Sequence, residues 1–106
     1  MKVYKFGGAS VKDAAGIKKL IEIVSEESDN LVIVVSAFGK TTNALEKVLK
    51  AWLGGDEKYS TLLDDVYAGH LLIITDLFGK GSDAEGKIDV SFALLKDFLL
   101  TSVKGQ

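Results

Sequence analysis

Residues 1–36 read MKVYKFGGASVKDAAGIKKLIEIVSEESDNLVIVVS, and this stretch decides the fold. Lys2 to Phe6 alternate polar and apolar side chains, with Val3 and Tyr4 favouring an extended backbone, and the run stops at Gly7-Gly8. From Ser10 the period lengthens. Val11, Ala14, Ile17, Leu20, Ile21 and Val24 recur at the spacing of one helix face, which predicts a helix from an N-cap at Ser10 to about Glu27. Ser28-Asp29-Asn30 then break the chain, and Leu31 to Val35 follow as an unbroken apolar run of the kind buried on both faces of a parallel sheet. Strand, helix and strand in this order make a βαβ unit with right-handed crossover. The second strand is expected to be central and parallel to the first, with ligands bound beyond the carboxyl ends of both.

Outward from this unit, the loop Ser36 to Thr42 leads into an amphipathic helix carrying Leu45, Val48, Leu49 and Trp52, with Asn43 and Glu46 in capping-box spacing and Gly54-Gly55 at its end. A third helical stretch runs from Tyr59 to Phe78, with Leu62, Leu63, Val66, Tyr67, His70, Ile74 and Leu77 on one side and Gly79 and Gly81 closing it. A fourth uses Ile88, Phe92, Leu95, Leu99 and Val103. Two strands cannot cover the faces of so many helices. The expected class is therefore α/β, an incomplete parallel-sheet α/β/α sandwich in which β-α-β is followed by three helical segments. Residues 1–106 read as the N-terminal portion of a larger domain.

Composition narrows the function. Apolar residues are 47% and charged residues 26% of the 106-residue chain, enough for a core and unlike a disordered segment. The formal net charge of −2 offers no positive excess for a nucleic-acid backbone. Cysteine is absent and His70 is the lone histidine, so neither a disulfide framework nor a structural zinc site can be assembled. No apolar run is long enough to cross a bilayer, and a cytoplasmic setting without membrane or nucleic-acid partners is expected. Arginine is also absent, so any anion must be held by lysine, hydroxyls and backbone amides.

Two loops have the right chemistry for that task. Lys5-Phe6-Gly7-Gly8-Ala9-Ser10 joins the first strand to the first helix. Paired glycines let the backbone approach an anion, amides at a helix start carry partial positive charge, and Lys5 adds a full one. The plain alternative is a tight turn beside a solvated lysine. Ser36-Ala37-Phe38-Gly39-Lys40-Thr41-Thr42-Asn43 follows the second strand with three hydroxyls, an ammonium and an amide. Gly39-Lys40-Thr41 invites a P-loop reading, but Val34 stands where that pattern needs its first glycine. Here the plain alternative is that Thr42 or Asn43 caps the second helix. Taken together, the loops leave one sheet edge, so Lys5, Gly8, Ser36 and Thr42 are expected to converge on one crevice. Phosphoryl transfer to a small acid needs such a place, because donor and acceptor are both anionic.

KFGGAS at 5–10 and VVSAFGKTTNAL at 34–45 resemble the opening of aspartate kinases within the amino-acid kinase superfamily. The resemblance implies transfer of the γ-phosphoryl of ATP, with magnesium on the nucleotide, to the side-chain carboxylate of aspartate, the first step of aspartate-family amino-acid biosynthesis. It implies that Lys5 is catalytic and touches the transferring phosphoryl, that Gly7, Gly8 and Ser10 bind ATP phosphates, and that Ser36, Gly39, Thr42 and Asn43 bind aspartate. Ala9 stands where the family usually has threonine, and Gly39 precedes Lys40 where many relatives carry the glycine one place later. The family's later glutamate, Gly-rich segment, adenine pocket and regulatory domains normally follow, so this chain alone is expected to be inactive. The rival readings are another amino-acid kinase, acting on glutamate, carbamate or a nucleotide monophosphate, and a non-catalytic helical interaction module.

The remaining polar and aromatic residues suggest structural roles. His70 on an apolar face is expected to be a hydrogen-bonded core or interface histidine. Trp52 with Leu45, Val48 and Leu49 reads as core packing, and Asp64-Asp65 and Glu26-Glu27 as solvated surface. The apolar third and fourth helices lead us to expect a homo-oligomer.

Overall fold

The computed structural model describes residues 1–102, so Val103 of the expected fourth apolar face lies outside the described residues. The elements are β1 (Lys2–Phe6), α1 (Ala14–Ser25), β2 (Leu31–Val35), α2 (Thr41–Leu53), α3 (Lys58–Phe78) and α4 (Asp83–Thr101). This is the α/β order that the sequence predicts. The chain divides into two compact units, Met1–Thr41 and a second beginning at Thr42. No helix among the described residues is long and apolar enough to cross a membrane.

In the first unit β1 and β2 pair in parallel, with Lys2 opposite Leu31 and Phe6 opposite Val35. The ladder continues past both strand ends: the Lys2 N–H donates to Asn30 O at 2.9 Å and the Ser36 N–H to Phe6 O at 3.0 Å. Both strand-to-helix loops therefore leave from one edge. β2 is neither central nor buried on both faces, contrary to its composition, and Val32, Ile33, Val34 and Val35 are 40–50% exposed. The cause is topological. In a two-stranded sheet β2 has β1 as its strand neighbour, and among the described residues nothing pairs with its other edge.

α1 begins later than the apolar period suggests. Ser10 is not its N-cap, because the residues after β1 form two overlapping turns, with the Ser10 N–H on Gly7 O at 3.0 Å and the Val11 N–H on Gly8 O at 3.3 Å. Asp13 takes the cap, extended at φ −154° and ψ 174°, and its Oδ1 accepts from the Gly16 N–H at 2.8 Å. The turn packs down on the helix it precedes. A Cβ on Gly16 would lie 2.4 Å from Ser10 O, so only glycine fits there. Val11, 1% exposed, anchors the turn from below.

At the other end of the sheet Glu27 is clamped, not free at the surface. Its Oε2 accepts from the Tyr4 hydroxyl at 2.7 Å and from Lys2 Nζ at 3.2 Å. The bond from Tyr4, then that from Lys2, holds the Glu27 carboxyl below its ordinary range, and the same bond pushes the Tyr4 phenol up. The clamp ties the start of β1 to the connection between α1 and β2.

The second unit is helical. α2 starts at Thr41, two residues before Asn43, so the expected capping box is not formed and Asn43 lies inside the first turn. The Thr41 hydroxyl and N–H both donate to Phe38 O. Val48, Leu63 and Val66 form the core, with Ala44, Tyr59, Leu62, Phe92, Leu95 and Leu99 packed against them. Trp52 is buried as expected, and its Nε1–H donates to Leu99 O at 2.9 Å, joining α2 to α4. Leu45 and Leu49, expected beside it in the core, are exposed. Between α3 and α4, Gly79 and Gly81 both take positive φ, 77° and 76°, which a side chain would resist. The Ser82 side chain then caps α4, accepting from the Glu85 N–H at 3.1 Å.

The two helices run antiparallel. Asp64 on α3 is ion-paired with Lys96 on α4, Tyr67 donates to Asp89, and Tyr67 meets Phe92 edge-on at 5.3 Å. Asp64 is thus a partnered surface carboxylate. His70 behaves as its position suggests, with Nδ1 2.9 Å from Val66 O and its ring 5.8 Å from that of Phe92.

Candidate active site

The pairing of β1 with β2 fixes where the two loops meet. Phe6 is opposite Val35, so Gly7 and Ser36 are the next residues on each strand and leave the sheet side by side. The contact between the loops is close: a Cβ on Gly8 would lie 3.1 Å from Gly39 O and 3.8 Å from Ser36 Oγ. Gly8 is glycine because the second loop occupies that space. Gly7 differs, since a Cβ there would meet nothing within 4 Å and its φ is not positive. Nothing in the first unit requires Gly7 to be bare, whereas a ligand approaching its backbone would.

Gly39 has φ +50°, the left-handed turn that directs the loop towards α2. The Ser36 hydroxyl donates to Ala37 O at 3.0 Å and is exposed at the edge. Lys5, opposite Val34 on β1, is exposed and makes no ion pair among the described residues. Ser10, in the turn after Gly8, lines a groove of about 380 Å³ together with Phe6, Lys12, Gly16, Lys19 and Leu20. The structure thus brings Gly7, Gly8, Ser36 and Gly39 together, with Lys5 on the strand leading to them and Ser10 one turn beyond. Thr42 and Asn43 stand in the first turn of α2, in the second unit.

Lys12 is a residue that the sequence does not single out. Its Cα lies 3.8 Å and its Cβ 4.0 Å from the position of a Cβ on Gly39, so the first loop runs beside the second at Lys12 as well as at Gly8. A helix beginning at Ser10 makes Lys12 an ordinary solvated helix residue. A signal against that reading is Asp13 with Gly16 three places on, an N-cap spacing that returns Lys12 to the loop.

Chemically, this edge offers exposed ammonium groups, a hydroxyl and bare backbone, a set suited to oxyanions. Among the described residues no group of three or more His, Asp and Glu side chains is placed to hold a metal ion.

The amino acid kinase family model matches residues 1–93, which include both loops. The chain belongs to the amino acid kinase family. Over 76 residues, 71% of its length, it is 34% identical to the chloroplastic bifunctional aspartokinase/homoserine dehydrogenase of Daucus carota. Over a stretch of the same length it is 32% identical to the chloroplastic bifunctional aspartokinase/homoserine dehydrogenase 2 of Arabidopsis thaliana, and 30% to enzyme 1 of that name from Zea mays. The match spans about 8% of the length of these relatives. Within the amino acid kinase family, then, this chain carries the βαβ unit with its two glycine-bearing loops.

Proposed function

We propose that the chain is the N-terminal portion of an aspartate kinase catalytic domain and supplies the phosphate-binding and acceptor-binding loops for transfer of the γ-phosphoryl of ATP to the aspartate side-chain carboxylate. The observation that carries this reading is the contact between the loops, with Gly39 O 3.1 Å from a Cβ position on Gly8. A donor phosphate on the first loop and an acceptor carboxylate on the second would be held next to each other. In the transfer a carboxylate oxygen bonds to the γ-phosphorus as the bridging bond to the β-phosphate breaks, and ADP leaves. The protein contributes position and charge and forms no covalent intermediate.

In this reading Lys5 offsets charge on the transferring phosphoryl, and Gly7 and Gly8 let the backbone approach its oxygens, with Ser10 in the following turn. Ser36 and Gly39 face the amino acid, while the assignment of Thr42 and Asn43 to aspartate rests on the motif. Magnesium arrives with the nucleotide phosphates and supplies further charge neutralisation there. The relatives' names, which pair aspartokinase with homoserine dehydrogenase, support aspartate as acceptor.

The test is trapping of acyl phosphate with hydroxylamine in the full-length protein supplied with ATP-magnesium and either aspartate or glutamate. Hydroxamate should form with aspartate. Lys5→Ala should cut turnover far more than it weakens aspartate binding, because the charge acts on the transferred group. Hydroxamate from glutamate alone would assign the chain to another amino acid kinase, and none from either would overturn aspartate as acceptor in favour of a kinase for carbamate or a nucleotide monophosphate or of a non-catalytic module.

A further inference from the structure

We infer that α4 pairs antiparallel with α4 of a second copy of this chain, through the face turned away from the helical core. The inference concerns assembly and does not rest on the aspartate kinase reading. α4 is apolar on two sides. Phe92, Leu95 and Leu99 pack against the core of Val48, Leu63 and Val66, yet Val90, Leu94 and Phe98, on the opposite side, are 60%, 67% and 63% exposed. No residue of α4 is buried. A helix that is apolar all round is ordinarily covered all round.

The outer face is patterned for its own copy. Asp83, Lys87, Val90, Leu94, Asp97 and Thr101 are all exposed and recur at alternating intervals of four and three residues, the seam of a coiled coil. Lys87 and Asp97 stand equally far from Phe92 along the helix, and so do Val90 and Leu94. A two-fold axis at the level of Phe92 therefore sets Lys87 against the partner's Asp97 and Val90 against the partner's Leu94, each contact occurring twice. Parallel pairing would instead place like charges together at both positions, so charge selects the antiparallel arrangement. Lys87 and Asp97 make no ion pair among the described residues. A groove of about 720 Å³, with Asp83, Gly86, Lys87 and Val90 in its walls, opens beside the N-terminal half of the seam. A Cβ on Gly86 would meet nothing within 4 Å, so the described fold does not require glycine there. In the antiparallel pair the partner's Leu94 and the partner's Phe98 come over that groove. A segment of different sequence would need no such symmetry in α4.

Carbodiimide coupling of the full-length protein, prepared as an equal mixture of ordinary and nitrogen-15-labelled chains, tests the pairing. Within one helix Lys87 and Asp97 lie roughly 15 Å apart, too far for direct amide coupling. Lys87–Asp97 coupled peptides carrying one labelled and one unlabelled half should therefore appear in the mass spectrum. Leu94→Asp, which keeps both coupling groups, should cut their yield about tenfold with circular dichroism and Trp52 emission unchanged, and Leu94→Met should retain it. In the charge-exchanged variant Lys87→Glu with Asp97→Lys, coupling between the same two positions should persist. Absence of mixed-label coupling in the wild type would overturn the inference, as would a yield indifferent to Leu94→Asp. Coupling of Lys87 or Asp97 to a segment beyond residue 106 would assign the face to the rest of the protein and overturn it as well.

Discussion

Gly7 and Gly16 are indistinguishable by type but answer to different demands. At Gly16 an added methyl would meet Ser10 O at 2.4 Å, so Gly16→Ala must displace the turn or the helix start. Overpacking of this kind costs about 1–3 kcal/mol, to be read as a lower urea midpoint at unchanged slope. At Gly7 the same methyl enters open space. Gly7→Ala should keep stability within about 0.5 kcal/mol while hydroxamate production falls, because in the proposed function phosphate oxygens approach the bare backbone there. Equal stability losses in the two variants would refute the distinction. Gly39→Ala combines both effects, since its φ of +50° costs a side chain about 1–2 kcal/mol before any ligand is considered.

At the scale of the element, α1 depends on Asp13. Asp13→Ala should cost about 1 kcal/mol, whereas Ser10→Ala should leave denaturant stability unchanged, since Ser10 does not cap the helix. The parallel strands, the order of the helices and the shared edge of the two loops were legible, because alternation, a run of β-branched residues and paired glycines each leave a local mark. The start of α1 was not. Val11 sits on the apolar period of the helix but is buried beneath a turn, so periodicity placed the boundary at Ser10 and took Lys12 out of the loop. Exposure of β2 was illegible for another reason, namely that Leu31 to Val35 record a preference for burial but not which elements satisfy it.

The Tyr4–Glu27–Lys2 clamp belongs to the same scale and makes the first unit pH-dependent. Glu27 has a folded pKa below its unfolded one, so its contribution is present above the unfolded value and is lost as pH falls through the folded value. Tyr4 is raised, so its contribution is present below the ordinary 10.0 and is lost as pH rises through the folded value. Glu27→Gln should therefore flatten the acid limb of a stability profile, and Tyr4→Phe the alkaline limb. An acid limb unchanged in Glu27→Gln would show that the clamp is not formed in solution.

At the scale of the whole molecule, two bodies are held together in different ways, one by a strand ladder and a polar clamp and the other by aliphatic packing between helices. Leu63, 0% exposed at the centre of the helical core, is the most costly single truncation expected, about 2–5 kcal/mol for Leu63→Ala. The loss should appear chiefly as faster amide exchange in α2, α3 and α4. The chain contains one tryptophan, and its indole is bonded to the Leu99 carbonyl within that helical body. Indole emission consequently observes one half of the protein and is blind to the half that holds the glycine loops. Heating followed by emission and by exchange of the ladder amides would yield two melting curves, and the gap between them would measure how far the halves cooperate.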